Sequence, residues 1–218
     1  MSAVRTGPEN AWSEFPDLVR RALHRIPAIR LPDEECERRA AVTLLLAPDP
    51  DAAGSGPAPN SILDDSVSAL FVLRASHDGD PWSGHVGLPG GRVEDGDADL
   101  IDTARRETCE ETAVDLGREA FLGRLHELHP RSVHLPSIGV APFVAWLPDR
   151  PTIRENHELA GHIWVPLRKL IAPENRSTLI LADRPDREFQ TIEHAGAVIW
   201  GLTHAIVQDF LSRVAPPQ

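Results

Sequence analysis

The sequence predicts an α+β fold on three observations. Helix-period and strand-like segments are mixed without regular alternation, no repeat occurs at any period, and 41% hydrophobic against 25% charged residues over 218 positions is enough for a sizeable core. One domain over 1–218 is the expectation. Phe15, Leu18, Val19, Ala22, Leu23 and Ile26 recur at three- and four-residue steps. With Ser13 as N-cap and Pro16 in the first turn, they predict an amphipathic helix over about 13–26. The apolar runs 40–46 and 67–73 read as strands of one sheet. Between them, 48–65 is crowded with Pro, Gly, Ala, Ser and Asp and reads as a mobile loop within the domain. The segment 98–112 lacks Gly and Pro and follows a glycine-rich stretch, so a loop feeds a helix. Further strands are expected at 121–128, 138–147, 163–166 and 177–181, before a closing helix from 202 to about 214.

With 33 acidic and 22 basic side chains the formal charge is −11, which argues against a broad footprint for nucleic acid or an anionic membrane and leaves room for a local phosphate site. No apolar run approaches the ~20 residues of a membrane helix, and the first residues lack the apolar core of a signal peptide, so a soluble, cytoplasmic protein is expected. Cys36 and Cys109 give neither a disulfide framework nor a structural zinc site, and both are expected to be reduced. Cys109 lies roughly 160° to 200° around a helix from Glu107 and Glu111, and is expected to pack against the domain. His126 and His129, three apart on a strand, fall on opposite faces and read as ordinary residues rather than a zinc pair.

The chemistry is concentrated in GHVGLPGGRVEDGDADLIDTARRETCEETAVDL, residues 84–116, where Pro89-Gly90-Gly91 precedes the helix. Glu107, Glu110 and Glu111 fall within an arc of roughly 100° on that helix, and like charges at such offsets destabilise it by a few tenths of a kcal/mol per pair. A bound cation removes the conflict. Carboxylates without thiolates or paired imidazoles select hard divalent ions, so Mg²⁺ or Mn²⁺ is favoured over Zn²⁺, and magnesium in turn suggests phosphate. The glycines let backbone approach a ligand closely, and Arg92, Arg105 and Arg106 can hold a phosphate or fix a carboxylate. These are the parts of a metal-assisted phosphate ester or anhydride hydrolase. Trp82 is a candidate for stacking on a base and equally a packing element.

This segment resembles the signature box of the Nudix hydrolases: Gly, five residues, Glu, seven residues, then Arg-Glu-apolar-x-Glu-Glu-x-Gly-apolar. Arg106, Glu107, Glu110, Glu111 and Val114 match. Asp97 stands in place of the first Glu, eight residues separate it from Arg106, Thr108 fills an apolar position and Ala113 replaces Gly. The Asp, the extra residue, Pro89-Gly90-Gly91 and Thr103-Ala104 are similar to the coenzyme A diphosphatase branch, although Trp82-Ser83-Gly84 stands where that branch carries His-x-Gly.

The resemblance implies an α/β/α sandwich around a mixed sheet and hydrolysis of a nucleoside diphosphate linked to another group. Glu107, Glu110 and Glu111 would be the metal-binding glutamates, the Gly90 carbonyl a backbone ligand, and Arg106 would orient Glu107. The base that activates water is either Glu107 or Glu158, with Glu155 a third candidate. Coenzyme A or an acyl derivative is the leading substrate, with Arg74 or Arg92 holding phosphate. ADP-ribose, NADH, a nucleotide sugar, or nucleotide binding without turnover are the alternatives. The expected partner is a small diphosphate substrate, not nucleic acid or membrane, and a homodimer is left open.

Overall fold

A computed structural model describes residues 12–52, 61–75, 84–130, 137–182 and 184–215. Helix α1, Phe15–His24, is preceded by Glu14 rather than capped by Ser13. The Glu14 side chain makes no capping bond, and the helix buries Phe15, Val19, Ala22 and Leu23. Strand β1 runs Arg38–Pro48 and β2 Val67–Arg74, both longer than the sequence predicts. Of the expected loop, 53–60 lies outside the described residues. Its flanks are tied together, because Asp49 accepts from the Ser68 hydroxyl at 2.5 Å and Asp49 N–H donates to the Ser66 carbonyl at 2.7 Å. Two short strands follow, β3 at Val86–Gly87 and β4 at Gly90–Arg92, then helix α2 at Leu100–Thr112.

Strand β5 is Phe121–Arg124, shorter than expected, with only an isolated bridge from Leu128 to Val140 beyond it. His126 and His129 are therefore not on a strand. His126 Nδ1 accepts from Ile29 N–H at 2.8 Å, and the His129 ring bonds the Ser137 hydroxyl at 3.1 Å, so both serve loop packing. Strand β6 is Ile138–Trp146, β7 Leu159–Pro166, and the short helix α3 Leu167–Ile171. Strand β8, Arg176–Leu181, pairs with β9, Arg184–His194, and β9 with β10, Ala197–Ile199, in a separate antiparallel sheet. Neither β9 nor β10 is expected from the sequence. Helix α4, Gly201–Val214, follows.

The main sheet is mixed, in the order β3-β2-β1-β6-β5, with β1 and β6 parallel and the other pairs antiparallel. It forks at β1. Residues 46–48 of β1 pair with β2, whereas Ala40, Ala41 and Val42 pair with Arg92, Gly91 and Gly90 of β4, and β2 continues alongside β7. Alternation along the strands separates two apolar faces. Leu44, Leu46, Phe71 and Val144 pack with α1 and α4, while Leu45, Leu70, Ala145 and Ala104 of α2 belong to clusters on the other. Helices on both sides of a mixed sheet make the α/β/α sandwich that the resemblance implies.

Helix α2 is capped by Asp99, whose Oδ1 accepts from Ile101 and Asp102 N–H at 2.9 and 3.0 Å. Its buried face is largely polar: Thr103, Thr108, Glu111 and Thr112, with Ala104 among them. Thr108, at an apolar position of the box, is satisfied there by the Ala104 carbonyl at 2.6 Å and the Thr43 hydroxyl at 2.9 Å. Because the Glu111 side packs inward, the opposite side faces solvent, and Cys109 is exposed rather than packed. Both cysteines are free. The helix does not run past the missing glycine. Ala113 itself adopts the left-handed conformation, φ 59° and ψ 21°, and its N–H bonds the Cys109 carbonyl.

Candidate active site

The fork in the sheet places Pro89-Gly90-Gly91 under α2. Gly90 has φ +152°, and a Cβ there would lie 2.3 Å from the Ala41 carbonyl oxygen and 2.6 Å from Val42 Cα. Only glycine lets β4 come this close to β1. Its N–H donates to Glu111 Oε2 at 2.9 Å, so it is the amide of Gly90 that the structure shows meeting a box glutamate. A Cβ on Gly91 would lie 2.4 Å from Glu107 Oε1, which marks how closely that carboxylate rests on the glycine backbone.

The three glutamates on α2 differ in environment. Glu111 is 2% exposed. Burial pushes its carboxyl up to about 7 against the opposing effects of the Gly90 amide and Arg74, and the charges of Glu107 and Glu158 push the same way as burial. Glu107 is also raised, first by burial, with Arg106 opposing. Glu110 has a largely exposed side chain.

Arg106 joins most of the motif. Its Nη1 lies 3.0 Å from Glu107 Oε1 and 3.2 Å from Glu110 Oε2, while Nε and Nη2 each donate to Asp97 at 3.0 Å and Nη2 also donates to the Arg92 carbonyl at 2.9 Å. Asp97 is held well below the usual carboxylate range, chiefly by the Arg106 hydrogen bonds, and Thr103 adds a hydroxyl at 2.9 Å. Asp97 is thus the anchor of Arg106, a part the sequence marks only by its departure from the box.

Opposite α2, residues 153–158 form a strap. Arg154 N–H donates to the Thr112 carbonyl at 2.9 Å and Asn156 N–H to the Glu111 carbonyl at 3.2 Å. Asn156 Oδ1 accepts from Glu158 N–H at 2.8 Å, and the Glu158 carbonyl accepts from Ala75 N–H at 2.8 Å. Glu158 therefore sits where β2 ends at Arg74, close enough for its charge to act on both Glu107 and Glu111. Glu155 instead bonds His162 Nδ1 at 2.6 Å.

Glu107, Glu110, Glu111, Arg106, Gly90, Glu158 and Arg74 are thus brought to one end of the sheet. The Arg92 side chain is exposed and lines an open 660 Å³ concavity with Glu37, Arg38 and Asp97, while Arg105 donates to the Leu116 carbonyl at 2.5 Å as a brace. Trp82 lies outside the described residues. His162 carries little signal in the sequence, being a histidine in a strand beside an acidic loop.

Among the described residues no three His, Cys, Asp or Glu side chains form a ready-made cation cage. The donors nonetheless fit a hard divalent ion. They are carboxylate oxygens, two of them withdrawn from water, and Arg106 supplies cationic contacts to Glu107 and Glu110 but none to Glu111.

Comparison with known proteins matches residues 56–183 to the model of the NUDIX domain. An uncharacterized protein of Schizosaccharomyces pombe is 37% identical over 144 residues, covering 63% of this chain and 44% of that protein, so the chain spans less than half of that relative's length. An uncharacterized Nudix hydrolase, NudL, of Yersinia enterocolitica is 30% identical over 159 residues, covering 66% of this chain and 73% of its own length. In fold, the chain is similar to the crystal structure of a MutT/nudix family protein from Enterococcus faecalis, with a TM-score of 0.56 at 20% identity over 98% of this chain and 75% of that one. The box residues on α2, the sandwich and these matches agree: the chain belongs to the Nudix family.

Proposed function

We propose that this chain, as one domain, is a Mg²⁺- or Mn²⁺-dependent cytoplasmic diphosphatase whose leading substrate is coenzyme A or an acyl-coenzyme A. The observation that carries the metal is Glu111. It is a carboxylate 2% exposed, one turn from Glu107, and among the described residues it accepts from the Gly90 backbone amide. Glu107, Glu110 and Glu111 would hold the ion together with the Gly90 carbonyl. When bound, such an ion polarises a phosphoryl oxygen and makes water a stronger nucleophile.

The chain's own residues supply the rest. Arg106, fixed by Asp97, orients Glu107 and Glu110. Glu107 and Glu158 are the carboxylates placed to take the proton of the attacking water, Glu158 being held by the Asn156 turn. Water oxygen bonds phosphorus, and the bridging P–O bond breaks with its electron pair leaving on the departing phosphate. Arg74, whose charge acts on Glu111, is the arginine on this side of the fork and the better candidate for phosphate than Arg92.

The coenzyme A assignment rests on Asp97 with its extra residue and on Thr103-Ala104, together with the use made of them: the Thr103 hydroxyl donates to Asp97, which holds Arg106. Turnover of coenzyme A, ADP-ribose, NADH and nucleotide sugars, each with Mn²⁺ and with EDTA, tests the proposal. Metal-dependent release of 3′-phosphorylated adenosine monophosphate from coenzyme A supports it. Preference for ADP-ribose, NADH or a nucleotide sugar moves the chain out of that branch, and tight binding without turnover makes it a binding module. Comparing Glu107→Gln with Glu158→Gln at saturating metal identifies the base by the larger remaining defect.

A further inference from the structure

His162 and Glu155 form a titratable pair at 2.6 Å on the strap side of the sheet. His162 pairs with Val72 across β7 and β2. Strand alternation puts its side chain on the sheet face of Leu70 and Trp164, which is the face covered by Val114 and Leu116 after α2. Arg74 lies two residues beyond Val72, at the end of the same strand. Glu155, the partner of the imidazole, stands between Arg154 and Asn156, whose amides are bonded to the carbonyls of Thr112 and Glu111. The ring is therefore tied through a short chain of bonds to the end of the helix that carries the glutamates.

The chemistry of the pair fixes the ring's polarity. Glu155 is held below the usual carboxylate range, first by its bond to His162, and an ionised carboxylate only accepts. Nδ1 therefore carries the proton at the 2.6 Å contact. Nε2 is left for something else. It has no hydrogen-bond partner among the described residues, and the His162 side chain is 30% exposed.

Charge then says what a ligand there would be. Glu107, Glu111 and Glu158 gather carboxylates at this end of the sheet, offset in part by Arg74 and Arg106, and a diphosphate brings further negative charge. An anionic substrate needs cationic or donor groups on the wall opposite α2, in addition to a metal. We propose that His162, held by Glu155, is a substrate-binding residue that donates from Nε2 to a non-bridging oxygen of the diphosphate. This rests on the diphosphatase reading above and adds to it the residue on β7 that grips the substrate. A surface ion pair with no ligand, by contrast, contributes little to folding and nothing to affinity.

The test is calorimetric titration of the full chain with α,β-methylene-ADP, a diphosphate that is not cleaved at the bridge, in Mg²⁺. The parent is compared with His162→Ala, His162→Gln and Glu155→Gln. His162→Ala is expected to bind about tenfold more weakly, and Glu155→Gln less well than the parent because the ring loses its anchor. His162→Gln, which keeps a donor, should recover part of the loss. With the turnover substrate, KM should rise by about the same factor while kcat stays within about twofold. Parent-like affinity in His162→Ala, or in His162→Gln and Glu155→Gln should the alanine variant not fold, overturns this inference alone. A parent chain that binds no diphosphate overturns the diphosphatase reading and this inference with it.

Discussion

Replacing Gly91 with alanine should disable the site while leaving the fold nearly intact. The residue lies outside the left-handed region, so its backbone accepts a side chain, and the three atoms nearest the new Cβ all belong to the Glu107 carboxylate, at 2.4 to 2.5 Å. Ordinary contact begins near 3.4 Å, so the carboxylate must retreat by about 1 Å. It is the end of a flexible side chain. Folding should therefore lose about 1 kcal/mol at most, chiefly from the disturbed Arg106 contact, which for a chain this long means a fall in Tm of about 2–4 °C. Catalysis is less forgiving, because a 1 Å misplacement of a reacting group costs on the order of 10²-fold, or about 2.7 kcal/mol in the barrier. Steady-state kinetics at saturating Mn²⁺ and thermal melts read the two effects separately. In a Glu107→Gln background the alanine should add little, since the damage runs through that carboxylate. Gly90→Ala is the contrast, because there the new Cβ meets backbone at 2.3 and 2.6 Å and φ is +152°, so destabilisation of roughly 2–5 kcal/mol is expected. A Gly91→Ala enzyme with parental kcat/KM would refute the reasoning.

Glu111→Gln should abolish turnover and the rise in Tm that Mn²⁺ gives the parent. In EDTA its Tm should not fall, because the glutamine carbonyl still accepts from Gly90 and a buried charge is gone; a large loss of stability in EDTA would count against this account. Asp97 is a carboxylate whose folded pKa is depressed, so its contribution is present above the ordinary carboxylate pKa near 3.8 and is lost as pH falls below it. Urea midpoints from pH 6 to pH 2 should show Asp97→Asn with a flatter acid limb than the parent, and parallel limbs would remove Asp97 as the anchor of Arg106. Ala113→Gly should raise stability by about 0.5–1 kcal/mol without altering activity, since glycine accepts φ 59° without the Cβ cost. A lower Tm in that variant would show that the alanine side chain contributes more than its strain costs.

Much of this arrangement is legible in the sequence because it is local. The glycine pair, the charged helix and the spacing between Arg106 and its glutamates all lie within 84–116, and apolar runs mark β1, β2 and β6. The unexpected elements lack those signals. Strand β9 reads Arg-Pro-Asp-Arg-Glu-Phe-Gln-Thr-Ile-Glu-His and is mostly exposed at its first half, so no apolar alternation marks it. Strands β3 and β4 are two and three residues long and exist only because the main sheet forks. The orientation of α2 is misread for a related reason. Its inward face is made of threonines, Ala104 and Glu111 rather than an apolar stripe, so periodicity gives no hint that Glu111 points inward and Cys109 outward.

That polar face explains why the site needs its strap. A helix end buried without partners leaves its last carbonyls unsatisfied, and α2 ends at residues that must stay close to Gly90. Ala113 N–H takes the Cys109 carbonyl, and the amides of Arg154 and Asn156 take those of Thr112 and Glu111. One more helical turn would put other amides on these carbonyls and release residues 154–156 from the helix. The left-handed turn at Ala113, at a position where alanine is strained by about 1 kcal/mol, is thus the condition for the strap to dock. Through the strap, the place where α2 stops determines where Glu155 and Glu158 stand relative to Glu111.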